Sequence, residues 1–142
     1  MSQGPLRDIR VVELASFIAG PYCSQLLADL GAEVIKIELP DTGDPMRLWG
    51  ARPGDAHSVW WSVIGRNKKS ITLDVRTPEG QRIARHLLAS ADVFVENFRP
   101  GTVEEWGLEY ERLKAVNPRL DLGSISGFGQ TGPYSEKAAF GA

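Results

Sequence analysis

The sequence contains one cysteine, Cys23, and two histidines, His57 and His86, among 142 residues. One cysteine excludes an internal disulfide and fits a reducing compartment. Cys23 lies between Tyr22 and Ser24 in a helical pattern, with no CxxC and no histidine nearby, and reads as a buried structural thiol. The histidines have no partners at ligand spacing, so no metal site is visible. His86, in a charged helical pattern, reads as a surface residue. There is no excess of one charge: 16 basic against 18 acidic residues leave a net −2. That balance predicts no general attraction to nucleic acid. No apolar run approaches the roughly 18 residues needed to cross a bilayer. The start, Met1-Ser-Gln-Gly-Pro-Leu-Arg-Asp8, has no apolar targeting segment. A soluble, cytoplasmic protein is the expectation, with a mitochondrial or peroxisomal address left open.

The remaining composition is that of a globular domain, 42% hydrophobic and 24% charged. Arg10–Ala15 is a short β-branched apolar run and reads as a strand. A loop of small and apolar residues, Ser16–Pro21, leads into a helix with Pro21 in its first turn. Leu26, Leu27 and Leu30 share one face of that helix at the spacing of a core stripe, and Gly31 supplies the left-handed stop. Glu33–Glu38 is a second strand, parallel to the first by the right-handed crossover rule. Proline and glycine break up the pattern from Leu39 to Asn67, yet Trp49, Trp60 and Trp61 make it an ordered excursion rather than a linker.

Regularity returns with the strand Ser70–Asp74. Thr77 then caps a helix that has Pro78 at its first position and Glu79 in its first turn. Ile83, Leu87 and Leu88 form its apolar face. Ala91–Glu96 is a strand, and two short helical patterns follow at Thr102–Trp106 and Tyr110–Val116. Arg119–Ser126 reads as a last strand before a glycine-rich stretch. Alternation of strand and helix without repeats predicts an α/β fold, a Rossmann-like, mostly parallel sheet with flanking helices.

Ligands in such sheets bind beyond the carboxyl ends of the strands. The loops Ser16–Pro21, Leu39–Arg47, Asn97–Gly101 and Gly127–Pro133 are therefore candidates. A dinucleotide fingerprint fails after the first strand, where Gly20 is followed by Pro21 and Tyr22. Gly127-Phe-Gly-Gln-Thr-Gly132 matches the spacing but follows the last strand, and no P-loop occurs. Arg66, Lys68, Lys69, Arg76 and Arg99 are candidate phosphate partners. Asp44, Glu96 and Glu38 are carboxylates near the same edge, none of them singled out by the sequence.

Five blocks occur in order: Ala19-Gly-Pro-Tyr-Cys23; Leu27-Ala-Asp-Leu-Gly-Ala-Glu-Val-Ile-Lys-Ile-Glu38; Asn67-Lys-Lys-Ser-Ile-Thr-Leu-Asp74; Val95-Glu-Asn-Phe-Arg-Pro-Gly101; and Ser124-Ile-Ser-Gly-Phe-Gly-Gln-Thr-Gly-Pro-Tyr134. From Leu6 onward the chain resembles the class III CoA transferases, the family of formyl-CoA transferase, carnitine CoA-transferase and α-methylacyl-CoA racemase. The resemblance implies that residues 1–142 are the Rossmann-like, CoA-binding N-terminal portion of a longer chain that assembles as an interlocked homodimer. It implies an acyl-CoA:carboxylate CoA-transferase, with CoA and acyl-CoA as substrates and no tightly bound cofactor. It further implies that Phe17, Ile18 and Ala19 lie against CoA, that Leu73 and Arg76 meet its adenosine phosphate end, and that Asn97 and Phe98 flank the pantetheine. Phe140 falls near the reacting thioester, where transferases often carry Tyr and the family's racemases carry a catalytic His, which disfavours a racemase.

Leu39 and Glu105 stand where some relatives have phosphate-binding Arg, with Arg47 or Lys69 expected to compensate. The family's nucleophilic aspartate is expected beyond Ala142. A non-catalytic CoA-binding module is the alternative if that segment is missing.

Overall fold

The computed structural model describes residues 4–54 and 56–139. Five strands, β1 (Arg10–Leu14), β2 (Glu33–Glu38), β3 (Lys68–Thr72), β4 (Val93–Glu96) and β5 (Asp121–Ser124), form one sheet in the order β3-β2-β1-β4-β5. Every neighbouring pair is parallel, with Val12 of β1 beside Ile35 of β2 and Phe94 of β4. The order reverses between β1 and β4, which makes the carboxyl ends of these two strands the switch point where open α/β sheets bind ligands.

Helix α1 (Ala19–Asp29) lies on one face of the sheet, and its Ala28 packs with Val11, Val34 and Val95. On the opposite face α3 (Pro78–Leu88), α4 (Thr102–Glu105) and α5 (Tyr110–Val116) contribute Ala84, Leu88, Val103 and Leu113 to a core with Val12, Leu14, Ile37 and Phe94. Phe94, Leu88 and Leu108 are at most 1% exposed, and burying each such side chain contributes about 1.5–3 kcal/mol. The α3 start matches the sequence reading: Thr77 Oγ1 accepts from Gly80 N at 3.1 Å, with Pro78 at the first helical position. Gly31, at φ 103°, ends the α1 region in the left-handed conformation.

Three local readings are corrected. Strand β3 begins at Lys68 rather than Ser70, because Lys68 and Lys69 pair with Val34 and Ile35 of β2. A helix unforeseen in the excursion, α2 (Val59–Ile64), is capped by Ser58, whose Oγ accepts from Trp61 N at 3.0 Å. The face of α1 is also reversed. Leu26 and Leu30 are exposed at 45% and 47%, Leu27 is half-buried, and the buried positions are Gly20, Pro21, Ser24, Gln25 and Ala28. The cause lies beneath the helix, where the upper part of the sheet presents Glu13, Lys36 and Lys68 rather than hydrocarbon. Ser24 Oγ donates to Glu13 Oε2 there. Cys23 is half-buried against the apolar cluster below α1, less enclosed than the sequence suggests.

Candidate functional site at the carboxyl edge

The end of β1 is tied to the end of β4 by one side chain. Asn97 Nδ2 donates to Ser16 O at 2.8 Å, and its Oδ1 accepts from Ser16 N at 2.9 Å. Phe17 follows at φ 62°, in the left-handed region, with its ring edge-on to Trp49 at 5.4 Å. The chain then enters α1 closely. A Cβ on Gly20 would lie 2.4 Å from Ala15 Cβ and 3.2 Å from Asn97 Cγ, so only glycine fits.

Two depressions open along this edge. The larger, about 510 Å³, is walled by Leu14, Ile37, Leu39, Leu73, Val75 and Trp106, with Ser16, Lys36, Glu38, Asp44, Asp74 and Arg76 among its polar lining. The smaller, about 280 Å³, lies between the β4 loop and the Ile125–Gly127 and Ser135–Ala139 segments. Phe98 borders both, held edge-on against Trp106 at 5.0 Å. Of the residues implied by the family resemblance, Leu73, Arg76 and Phe98 meet in the larger cavity, and Ala19, Asn97 and Phe98 in the smaller. Ile18, 42% exposed, and Phe17 line neither. Phe140 lies outside the described residues.

The cations divide sharply. Arg76 is exposed at the cavity mouth, where Asp74 holds it through two bonds, Nε to Oδ1 and Nη2 to Oδ2, both 2.8 Å. Asp74 is drawn below the usual carboxylate range, first by the Arg76 guanidinium and then by the Arg76 backbone N–H. The cations expected to compensate for Leu39 and Glu105 are already engaged. Arg47 makes a fork to Glu38 (2.7 Å and 2.7 Å) and stacks on the Trp61 ring at 3.9 Å. Lys69 reaches Glu33 at 2.6 Å, and Arg66 reaches Asp29 at 2.6 Å. The Lys68 side chain is buried, with Nζ on Glu13 Oε2 at 2.8 Å and Pro21 O at 2.6 Å. Two further cations flank the smaller depression: Arg99, which is exposed, and Lys137, which lies 3.8 Å over the Tyr134 ring.

The edge carboxylates differ in environment. Burial pushes Glu38 upward, but bonds from Arg47, Ser70 and the Asp44 N–H outweigh it and hold its pKa at about 2. For Glu96 burial prevails and raises the carboxyl, against weaker support from Ser124 and from Phe98 N at 2.8 Å. Sequence reasoning missed the ion cluster of Glu13, Lys36, Lys68 and Asp44. Its signal was available: charged residues inside strands of a parallel sheet covered on both faces require buried partners.

Residues 6–142 match the family described as CoA-transferase family III. The chain is 59% identical over 138 residues to a succinyl-CoA–D-citramalate CoA-transferase of Chloroflexus aurantiacus, covering 97% of this chain and 34% of that protein. It is 45% identical to a succinate–glutarate CoA-transferase of Agrobacterium fabrum, covering 96% and 36%. A solved CAIB/BAIF family protein from Brucella suis superposes with a TM-score of 0.88 at 48% identity, over 96% of this chain and 37% of that one. The chain thus spans about a third of the length of these relatives. With a parallel sheet whose switch point opens into paired depressions, and a family match over nearly all its residues, the chain belongs to CoA-transferase family III.

Proposed function

We propose that this chain supplies the CoA-binding edge of an acyl-CoA:carboxylate CoA-transferase. The observation that carries the reading is the convergence of Leu73, Arg76 and Phe98 on one cavity, with Phe98 shared by a second depression that contains Ala19 and Asn97. The adenosine end of CoA occupies the larger cavity, where Arg76, its Nε and Nη2 bonded to Asp74, offers its remaining Nη protons to phosphate as charge-assisted donors. The pantetheine passes Phe98 and Asn97 toward the smaller depression, and Phe17 and Ile18 complete the path in the bound state. No tightly held cofactor is required, because CoA is itself the substrate.

Relatives named for succinyl-CoA paired with D-citramalate, L-malate or glutarate support a dicarboxylic acid as acceptor. In the full-length protein an aspartate outside these residues attacks the acyl-CoA carbonyl, forming a mixed anhydride and releasing CoA thiolate. The thiolate attacks the enzyme's carbonyl of that anhydride, which frees the donor acid and leaves an enzyme thioester. The acceptor carboxylate displaces CoA from the thioester to give a second anhydride. The thiolate then takes the acceptor acyl group, regenerating the aspartate. Covalent staging splits one difficult exchange into easier steps.

A homodimer working in the cytoplasm belongs to the same reading. The exposed apolar side chains Tyr22 and Leu26 of α1, Leu30 at its C-cap, and Val59, Trp60 and Val63 of α2 are the kind of surface a second copy or a further segment covers. The test is transfer of CoA from succinyl-CoA to isotope-labelled dicarboxylic acids by the full-length protein. Labelled acyl-CoA supports the reading. CoA binding without transfer would leave a non-catalytic binding module instead.

A further inference from the structure

The sheet face beneath α1 carries charge where parallel sheets usually carry hydrocarbon. Glu13, Lys36 and Lys68 come from three adjacent strands and Asp44 from the loop after β2, and their side chains are no more than 2% exposed. The two lysines and two carboxylates balance in charge. Such a cluster is poor evidence of added stability, since apolar replacement of a whole buried pair is often neutral or favourable. Its contacts point to another role.

Lys36 Nζ bonds Glu13 Oε1 at 2.6 Å and donates to Ala15 O, immediately before the β1 loop, at 2.7 Å. The same ammonium lies 2.8 Å from Asp44 Oδ2. Asp44 Oδ1 accepts from Met46 N, in its own turn, at 2.9 Å. It also accepts from Phe17 N, across in the β1 loop, at 3.3 Å. Asp44 N donates to Glu38 Oε2 at 2.8 Å, so the carboxylate is held from its backbone side as well. Phe17 is thereby met at a left-handed φ of 62°, a conformation that non-glycine residues avoid. Ser16, Lys36, Glu38 and Asp44 all line the larger cavity, so these bonds lie within its lining.

We propose that Asp44 is a positioning residue: anchored by Lys36, it locks the loop after β1 against the loop after β2 and sets the cavity before any ligand arrives. The proposal rests on the CoA-binding reading of this edge. Preorganisation of this kind improves affinity by removing the ordering cost of binding.

The test compares two variants of the full-length protein with the same charge balance. In Lys36→Met/Asp44→Asn the amide Oδ1 still reaches Phe17 N and Met46 N. In Lys36→Met/Asp44→Ser the shorter side chain still caps Met46 N but cannot reach Phe17. The expected result by calorimetry is a CoA Kd at least about tenfold weaker for the second variant than for the first, both lacking the Lys36 ammonium, with KM for acyl-CoA rising in step and kcat little changed between them. Equal affinity of the two variants would overturn the proposal. Failure of the wild type to bind CoA would instead overturn the functional reading beneath it. If neither variant folds, hydrogen exchange on the wild type decides. Protection of the Phe17 amide before CoA is added supports a preset loop, and protection gained there only with CoA contradicts it.

Discussion

The Asn97 side chain completes a two-bond ring with the backbone of Ser16, donating to its carbonyl at 2.8 Å and accepting from its N–H at 2.9 Å. A primary amide is complementary to a peptide unit in this way. The pair bridges 81 positions of sequence and joins the loops after β1 and β4 at the switch point. Asn97→Ala leaves both groups of Ser16 without a protein partner. The expected cost is about 1–3 kcal/mol of stability, read from the denaturant midpoint, together with weaker CoA binding. Unchanged stability would show that the clasp is dispensable.

Gly20 offers a test in which two effects have opposite sign. Helix propensity alone predicts that Gly20→Ala, inside α1, stabilises by up to about 1 kcal/mol. The close approach to Ala15 and Asn97 predicts a loss of about 1–3 kcal/mol, because something must shift. Thermal unfolding of the variant decides between them, and a loss is the expected outcome.

Breaking the buried cluster by halves is predicted to be costly. Glu13→Ala leaves Lys36 with Asp44 and leaves Lys68 without its carboxylate partner. A loss of about 3–5 kcal/mol is expected from denaturant unfolding. Removing the exposed Arg82–Glu79 pair of α3, in contrast, should leave the midpoint almost unmoved.

Acid sensitivity follows from Glu38. Its folded pKa of about 2 lies below the ordinary 4.5. The stabilisation is therefore complete above pH 4.5 and is lost as pH falls toward 2. Its size is roughly 3 kcal/mol at neutral pH. Glu38→Gln should flatten the stability profile across that window and release Arg47. A profile as steep as wild type's would place the acid sensitivity elsewhere.

The elements with local signals were legible in the sequence. Thr77-Pro78-Glu79 announced α3, Gly31 marked the end of the first crossover, and the apolar runs of β1 and β2 fell within a residue of their observed bounds. The inward face of α1 was not legible. Spacing shows which side chains share a face of a helix, but the choice of face depends on the sheet beneath. Glu13 and Lys36 look like solvent-facing members of an alternating pattern, yet both are buried, and Ser24 on the inward face of α1 bonds Glu13. The site shows the same limit. Leu73, Arg76 and Phe98 share a cavity, while Lys69 is paired with Glu33 by the β2–β3 register and Arg47 with Glu38 by the turn after β2 folding back on its strand.

Arg76 carries the central claim. Among the described residues it is the guanidinium at the mouth of the larger cavity, and its partner Asp74 comes from the same loop. Calorimetric titration of CoA into the full-length protein, wild type against Arg76→Ala, tests the account most directly. The account predicts a Kd at least about tenfold weaker for the variant, as expected on losing a charge-assisted bond to phosphate, with the unfolding midpoint preserved. Equal affinity for CoA would contradict it and remove the adenosine phosphate end from this cavity.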